Sequence, residues 1–266
     1  MSPSREFVPP VEDVLFGVHA VMEAIAASPE RLERILIARE TGGARLGELL
    51  RAARAQGIPV THVPRAVLAR KVGRSAVSQG VAALRTGAAY ADPDNIVRAA
   101  LAGRGLLVVL DGVEDPRNLG AVLRSAAAAG ADGVLLGTEA TVGLTPAAVK
   151  TSAGVAARIP VGREPRLPRR LRALREAGFT LAALDARGDT PWDRAVLAGP
   201  LAIVAGGEQR GLRPGVVRVC NLRVAVPLER GVESLNLSVA VAVVLFEAVR
   251  QRRAFPTGST NSGGRS

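Results

Sequence analysis

Three polar clusters in the second half of the chain have residue types and a spacing that could support chemistry. They cover residues 111–124, 205–211 and 226–238. Each cluster lies beside the end of an apolar stretch that is typical of a buried strand. Loops at the carboxyl ends of parallel strands are the usual ligand sites of α/β proteins. The clusters are therefore candidates for contact with a ligand.

The first two clusters also have simpler structural interpretations. Asn118 stands where the N-cap of a helix over 119–130 is expected, and Arg124 follows in its second turn. Capping and a solvated arginine would explain both residues. Gly206 and Gly207 follow a strand and would let backbone N–H groups approach a ligand. A plain tight turn is the alternative for this glycine pair.

The third cluster is the most informative of the three. Residues 226–246 are predicted to form a strand end, a polar elbow and a long helix. Ser234, Asn236 and Ser238 place short polar side chains at alternate positions before an apolar helix. One helix cap needs fewer polar groups than these. The segment therefore predicts a functional site.

Several other kinds of active site are excluded by missing motifs. The chain has no Walker A loop, no G-x-S-x-G elbow and no H-E-x-x-H pair. A dehydrogenase is excluded because no G-x-G-x-x-G loop follows an early strand. Cys220 is the only cysteine, so neither an intrachain disulfide nor a cysteine-rich zinc site can form. His19 and His62 lie far in sequence from the clusters and are expected to have structural or RNA-contact roles.

The order of apolar and amphipathic stretches predicts an α/β protein with two units. Residues 13–86 are expected to form a small α/β module, and residues 87–105 a linker with one short helix. Residues 106–253 alternate strands and helices, which is typical of a parallel sheet covered on both faces. Residues 254–266 are rich in Gly, Ser, Thr and Asn and are expected to form a disordered tail.

The charge balance favours a polyanionic partner. The chain has 35 basic and 24 acidic residues, a net charge of +11. Nucleic acid is the first expectation for such a surface, and a basic protein without a polyanionic partner is the alternative. Residues 1–10 lack the apolar core of a signal peptide, and the apolar run 239–246 is too short to span a bilayer. We therefore expect a cytoplasmic protein with no membrane partner.

The three clusters, in this order, resemble the three motifs of the SpoU/TrmH (SPOUT) class of RNA 2′-O-ribose methyltransferases. Residues 150–154 match a further segment of the class. Residues 15–19 and 77–80 resemble the N-terminal domain of its 23S rRNA guanosine-2′-O-methyltransferase branch. The resemblance covers nearly the whole chain, apart from both tails.

This resemblance implies an L30e-like N-terminal domain that binds RNA and a C-terminal α/β domain with a deep trefoil knot. It also implies a homodimer, no metal ion and S-adenosylmethionine as the cofactor. The substrate would be an RNA, with a 23S rRNA hairpin as the first expectation. The residues implied in cofactor binding are Gly206, Gly207, Val226, Leu228 and Leu235.

The implied reaction is attack of a ribose 2′-oxygen on a sulfonium methyl group. Arg124 matches the residue that is proposed to activate the hydroxyl. Because arginine is normally always charged, a mixed contact with phosphate and hydroxyl is the favoured role. Asn118 and Asn236 would orient Arg124 and the substrate, Glu208 would shape the site, and Ser234 would contact substrate or cofactor.

Two residues depart from the motifs of the class. Gln209 and Arg230 stand where glycine is usual. If these positions need a positive φ, each costs on the order of 1 kcal/mol. A tRNA 2′-O-methyltransferase is the nearest alternative, and a non-catalytic RNA-binding or ribosome-assembly protein with the same fold is the second.

Overall fold

The computed structural model describes residues 14–72 and 78–254. These residues divide into two compact units. The first runs to Ala89 and includes Leu144–Ala147, and the second holds the other residues from Tyr90 onward. Expectations that concern residues 1–13, 73–77 and 255–266 lie outside the described part of the chain.

Strands and helices alternate in the first unit. In chain order they are β1 (Val14–Phe16), α1 (Val18–Ala27), β2 (Leu32–Ala38), α2 (Ala44–Ala55), β3 (Val60–Val63), α3 (Arg65–Val72) and β4 (Val81–Arg85). The sheet order is β1-β4-β2-β3, with β2 and β3 parallel and the other two pairings antiparallel. Ile35 and Ile37 of β2 pack with α1 and α2, whereas Leu36 packs with Leu68 of α3. This alternation follows from the two-residue repeat of a strand.

Strands and helices also alternate over most of the second unit. They are α4 (Pro93–Ala102), β5 (Leu106–Asp111), α5 (Pro116–Ala128), β6 (Gly133–Gly137), α6 (Pro146–Thr151), β7 (Val161–Glu164), α7 (Leu167–Glu176), β8 (Thr180–Leu184), β9 (Thr190–Pro191), β10 (Leu201–Gly206), α8 (Pro214–Val217), β11 (Leu222–Ala225) and α9 (Leu237–Ala254). Among the described residues the sheet order is β7-β6-β5-β10-β8-β11-β9, and every pairing is parallel.

The central strands of this sheet are almost entirely apolar because helices cover the sheet, and the charged exception is Asp111 at the end of β5. All residues of β5 are buried, and so are the first five of β10. α4, α7 and α8 contribute side chains to a core that includes Leu107 and Val204. Helix α4 lies within the segment expected as a linker, and its Ile96 and Ala100 are buried in this core. The predicted α/β class with a parallel sheet is confirmed, and the trefoil knot stays a prediction.

Two helices begin two or more residues away from the start that the sequence predicts. Helix α5 begins at Pro116, and the side chain of Asp115 accepts from the Arg117 N–H at 2.8 Å. The N-cap is therefore Asp115, and the expectation that Asn118 caps this helix is wrong. Proline at the first helical position makes the earlier start possible, because its φ is already helical. The apolar pattern predicts the last helix from Leu235, whereas α9 begins two residues later, at Leu237.

Candidate active site

The three polar clusters follow three strands that share one edge of the parallel sheet. β5 and β10 are direct neighbours, and Gly206 pairs in register with Asp111. β11 lies one strand further along, beyond β8. Because all these strands are parallel, their carboxyl ends lie at one edge. The loops after β5, β10 and β11 are named loop 1 (112–115), loop 2 (207–213) and loop 3 (226–236).

A chain of side-chain hydrogen bonds connects the three clusters. Asn118 Nδ2 donates to Glu208 Oε1, and Asn236 Nδ2 donates to Asn118 Oδ1 at 2.9 Å. Ser238 Oγ then donates to Asn236 Oδ1 at 2.7 Å. Asn118 therefore uses both ends of its amide to join one residue of loop 2 and one of loop 3. Three of the five predicted catalytic residues are in direct contact.

Asn236 has a second role at the start of α9. Its Oδ1 also accepts from the Ser238 backbone N–H at 2.9 Å. This is the bond of an N-cap residue, which satisfies one of the free donors in the first turn of a helix. The two ends of one amide thus cap α9 and reach Asn118. Ser238 shares the same acceptor, which explains two of the three alternating polar residues.

Loop 2 is shaped by close backbone contacts. A Cβ atom on Gly206 would collide with the backbone of Gly211, and one on Gly207 would collide with the Gly112 carbonyl. Gly211 has φ +61° and donates its N–H to Gly207 O at 2.9 Å. Only glycine fits this packing. The glycine pair therefore meets neighbouring backbone, which the sequence could not distinguish from contact with a ligand.

Helix α5 is fixed at both its start and its packing face. Arg117 pairs with Asp115 at 2.8 Å and holds the pKa of that carboxyl below its usual range. At Gly120, a Cβ atom would lie 2.6 Å from Ala148 O of α6. This close approach explains a glycine within a helix, where it otherwise costs about 1 kcal/mol. Asn118 is therefore held by a helix that cannot easily shift.

Sequence reasoning missed a charged pair beneath loop 2. Arg213 Nε donates to Asp111 Oδ1 at 2.8 Å, and the guanidinium also pairs with Glu139. Asp111 is completely buried, and its hydrogen bond raises the pKa of Arg213. The signal available in the sequence was a carboxylate at the end of an apolar strand, since a buried charge needs a partner.

Loop 3 carries four more of the predicted residues. Val226, Leu228 and Leu235 are half-buried, and Ser234 is exposed. Arg230 has φ +56°, so the condition under which a non-glycine residue carries a conformational cost holds at that position. The φ angle of Gln209 is not positive, so a residue other than glycine causes no backbone strain at this position.

Arg124 lies apart from the hydrogen-bonded chain. Its side chain is exposed on α5 and makes no hydrogen bond or ion pair with the residues that the structure describes. A free guanidinium can engage a phosphate or a hydroxyl of a bound substrate. The structure therefore joins Asn118, Glu208 and Asn236 to one another but not to Arg124 or Ser234.

The polar and apolar groups of the site suit an organic cofactor. Half-buried aliphatic side chains and the tight backbone of loop 2 could hold a flat, uncharged ring between loops 2 and 3.

Within residues 14–72 and 78–254, no three His, Cys, Asp or Glu side chains cluster as metal ligands do. Burial raises the pKa of the Cys220 thiol to about 12, so this cysteine is a poor nucleophile. No helix over the same residues is long and apolar enough to cross a membrane.

Two family models match the chain, and both describe RNA methyltransferases, the class that the sequence motifs predicted. The model described as "SpoU rRNA Methylase family" matches residues 105–246. The model described as "RNA 2′-O ribose methyltransferase substrate binding" matches residues 14–91. The chain belongs to the SpoU rRNA methylase family. The three clusters all lie within the first match.

Individual relatives cover most of the chain. The 23S rRNA (guanosine-2′-O-)-methyltransferase RlmB of Shewanella oneidensis is 38% identical over 91% of this chain and 99% of that protein. A protein of Mycobacterium ulcerans named "Uncharacterized tRNA/rRNA methyltransferase" is 40% identical over 94% of this chain and 81% of that protein. The AdoMet-bound rRNA methyltransferase structure from Sinorhizobium meliloti has a TM-score of 0.55 and 25% identity, over 91% of this chain and 87% of that one.

Proposed function

We propose that this protein transfers a methyl group from S-adenosylmethionine to the 2′-oxygen of a guanosine ribose in 23S rRNA. The observation that carries the proposal is the hydrogen-bonded chain from Glu208 through Asn118 to Asn236, which joins the three family motifs. A preorganised polar chain of this kind suits a reaction whose main demand is alignment. The choice of a guanosine of 23S rRNA as the substrate rests on the name of the relative in Shewanella oneidensis.

Each residue of the site has a role in this proposal. S-adenosylmethionine, when bound, supplies a methyl group on a good leaving group. The backbone of Gly206 and Gly207 would hold the cofactor together with three aliphatic side chains. Those side chains are Val226, Leu228 and Leu235, all half-buried.

The substrate side of the site is assigned to the polar residues. Asn118 and Asn236 orient the ribose, while Glu208 fixes the amide of Asn118 by accepting its hydrogen bond. Arg124 engages a phosphate and the 2′-hydroxyl, and it stabilises the negative charge that develops on the oxygen as the hydroxyl proton passes to solvent water. Ser234 is exposed and free to contact substrate or cofactor.

RNA recognition is assigned to the first unit and to arginines of the second. The substrate-binding match covers residues 14–91, and we propose that this unit grips an RNA hairpin. Helix α7 exposes Arg169 and Arg172, neither of which forms an ion pair with the described residues. Arg170, by contrast, is paired with Glu164 and Asp94. Unpaired exposed arginines are suited to phosphate contacts.

We further propose that the enzyme works as a homodimer in the cytoplasm. Val232, Val239 and Phe246 are about half exposed, with exposed fractions of 54%, 47% and 48%. Val239 and Phe246 are seven residues apart on α9 and lie on one helix face. Exposed apolar side chains on one face suit a partner surface. Sedimentation of the purified protein tests the dimer, and a monomer at micromolar concentration would contradict it.

The decisive experiment is tritiated methyl transfer from S-adenosylmethionine to purified 23S rRNA and to total tRNA, with the product nucleoside identified. We expect 2′-O-methylguanosine in the 23S rRNA. Label in tRNA alone would instead support the second candidate, a tRNA methyltransferase, which the name of the Mycobacterium ulcerans relative suggests. Absence of both label and calorimetric binding of S-adenosylmethionine would point to a non-catalytic RNA-binding protein.

A further inference from the structure

A single residue at the end of β5 holds both ends of loop 2. The Asp111 carbonyl accepts from the Gly207 N–H at 2.9 Å, where the loop begins. The Asp111 carboxylate accepts two hydrogen bonds from Arg213, where the loop ends. Arg213 Nε donates to Oδ1 at 2.8 Å, and the Arg213 backbone N–H donates to Oδ2 at 3.2 Å. The loop therefore starts and finishes on the same anchor.

Burial makes this anchor strong and sensitive to mutation. The Asp111 side chain is 0% exposed, whereas the Arg213 side chain is 33% exposed and reaches outward to Glu139. Removing one partner of a buried ion pair leaves an uncompensated charge and is strongly destabilising. A planar guanidinium with two bonded nitrogens also fixes direction, which a single point charge does not.

The anchored loop carries Glu208 to its partner. Glu208 follows Gly207 directly, and its carboxylate accepts from Asn118 Nδ2. The pairing of Gly207 with Gly211 closes the loop between the two anchored ends. The hydrogen bonds of Arg213 go to Asp111 and Glu139 and not to Glu208. Any effect of Arg213 on Glu208 therefore acts through the loop.

We propose that Asp111 and Arg213 are positioning residues that hold Glu208 against Asn118. This inference rests on the proposed function, because the polar chain matters only if it serves methyl transfer. The expected consequence is specific: loss of the pair frees loop 2, misplaces Glu208 and lowers turnover. Binding of RNA by the first unit should not change.

Arg170 offers a matched control within the same unit. Its Nε pairs with the buried Glu164 at 2.6 Å, and its side chain also pairs with the exposed Asp94. The exposed fractions are 22% for Arg170, 7% for Glu164 and 63% for Asp94, close to the pattern at Arg213. Arg170→Gln therefore removes a similar forked ion pair outside loop 2.

The experiment compares Arg213→Gln and Arg170→Gln by hydrogen exchange and by steady-state methyl transfer. We expect faster amide exchange over residues 207–212 in Arg213→Gln alone. Turnover should fall about 10- to 100-fold with the KM for RNA changed by less than about twofold. If Arg213→Gln does not fold, the double change Asp111→Asn with Arg213→Gln is used instead, because it also removes the buried carboxylate charge. Arg213→Lys is a further alternative, which keeps the positive charge but loses the planar guanidinium that bonds Asp111 through two nitrogens.

A double-mutant cycle separates positioning from simple stability. In a Glu208→Ala background, which removes the acceptor of the Asn118 hydrogen bond, Arg213→Gln should lower turnover by less than about threefold, because the two changes act on one interaction. Fully additive losses, or equal losses of turnover in Arg170→Gln, would overturn the proposal. If the unmodified protein transfers no methyl group, the proposed function fails, whereas unchanged exchange over residues 207–212 contradicts the positioning role by itself.

Discussion

Asn236 donates a hydrogen bond to Asn118 at 2.9 Å although 118 positions separate the two residues in the chain. Asn118 lies in the first turn of α5, and Asn236 precedes the first residue of α9. These two helices pack against each other. Their packing brings the starts of both helices, and with them the first and third family motifs, to one place.

The first prediction concerns the double role of Asn236. Asn236→Ala should lose the cap of α9, at a cost of about 1 kcal/mol in the free energy of unfolding, and should also lose methyl transfer. Asn236→Ser keeps a capping oxygen but cannot reach Asn118 with an amide donor. We expect it to retain stability within about 0.5 kcal/mol and still lose turnover by about 10-fold or more. Urea unfolding and methyl transfer measured on both variants provide the test, and full activity in Asn236→Ser would refute the role.

The second prediction concerns Arg124, which is exposed and free of partners among the described residues. Arg124→Ala should bind S-adenosylmethionine normally, because the side chain has no contact with loops 2 and 3. Turnover should fall about 100-fold or more, since the variant loses its charge at the developing oxyanion. Calorimetry and methyl transfer are the measurements, with Arg98→Ala on α4 as the control. Unchanged turnover would remove Arg124 from the mechanism.

The third prediction compares the two positions where glycine is usual. Arg230 has φ +56°, so Arg230→Gly should relieve about 1 kcal/mol of backbone strain, which offsets the entropy that glycine costs. Gln209 has no positive φ, and Gln209→Gly should therefore be destabilising by about 0.5–1 kcal/mol. Urea unfolding of the two variants gives the comparison. Equal losses of stability would show that the backbone of Arg230 is not strained.

The fourth prediction concerns the exposed arginines of α7. The double change Arg169→Gln with Arg172→Gln should weaken RNA binding and reduce the salt dependence of the affinity, with the slope of log K against log salt smaller by up to about two. The double change Arg98→Gln with Arg194→Gln removes the same charge from exposed sites elsewhere and serves as the control. Fluorescence anisotropy at several salt concentrations measures both. Equal slopes in the two double variants would exclude α7 from the RNA-binding surface.

The sequence by itself determined the class of fold and the identity of the motif residues. The apolar runs 133–137, 180–184 and 201–206 predict strands with the bounds that β6, β8 and β10 have, because buried parallel strands have continuous apolar runs bounded by glycine or polar residues. Strands β1 and β9 were missed, since three or two residues are too short to show a pattern. The resemblance of the three motifs to the SpoU/TrmH class placed Asn118, Glu208 and Asn236 in one functional set.

Only the tertiary structure decided how those residues are arranged. Local pattern assigned Asn118 to a cap, whereas packing of α5 against α9 turned its amide toward Glu208 and Asn236. The ion pair between Asp111 and Arg213 joins positions 102 residues apart, and no short-range periodicity reports such a contact. Local periodicity depends on neighbours within a few positions, so it predicts strands and helices. The site depends on which strand ends become neighbours in the sheet, and that is a property of the whole fold.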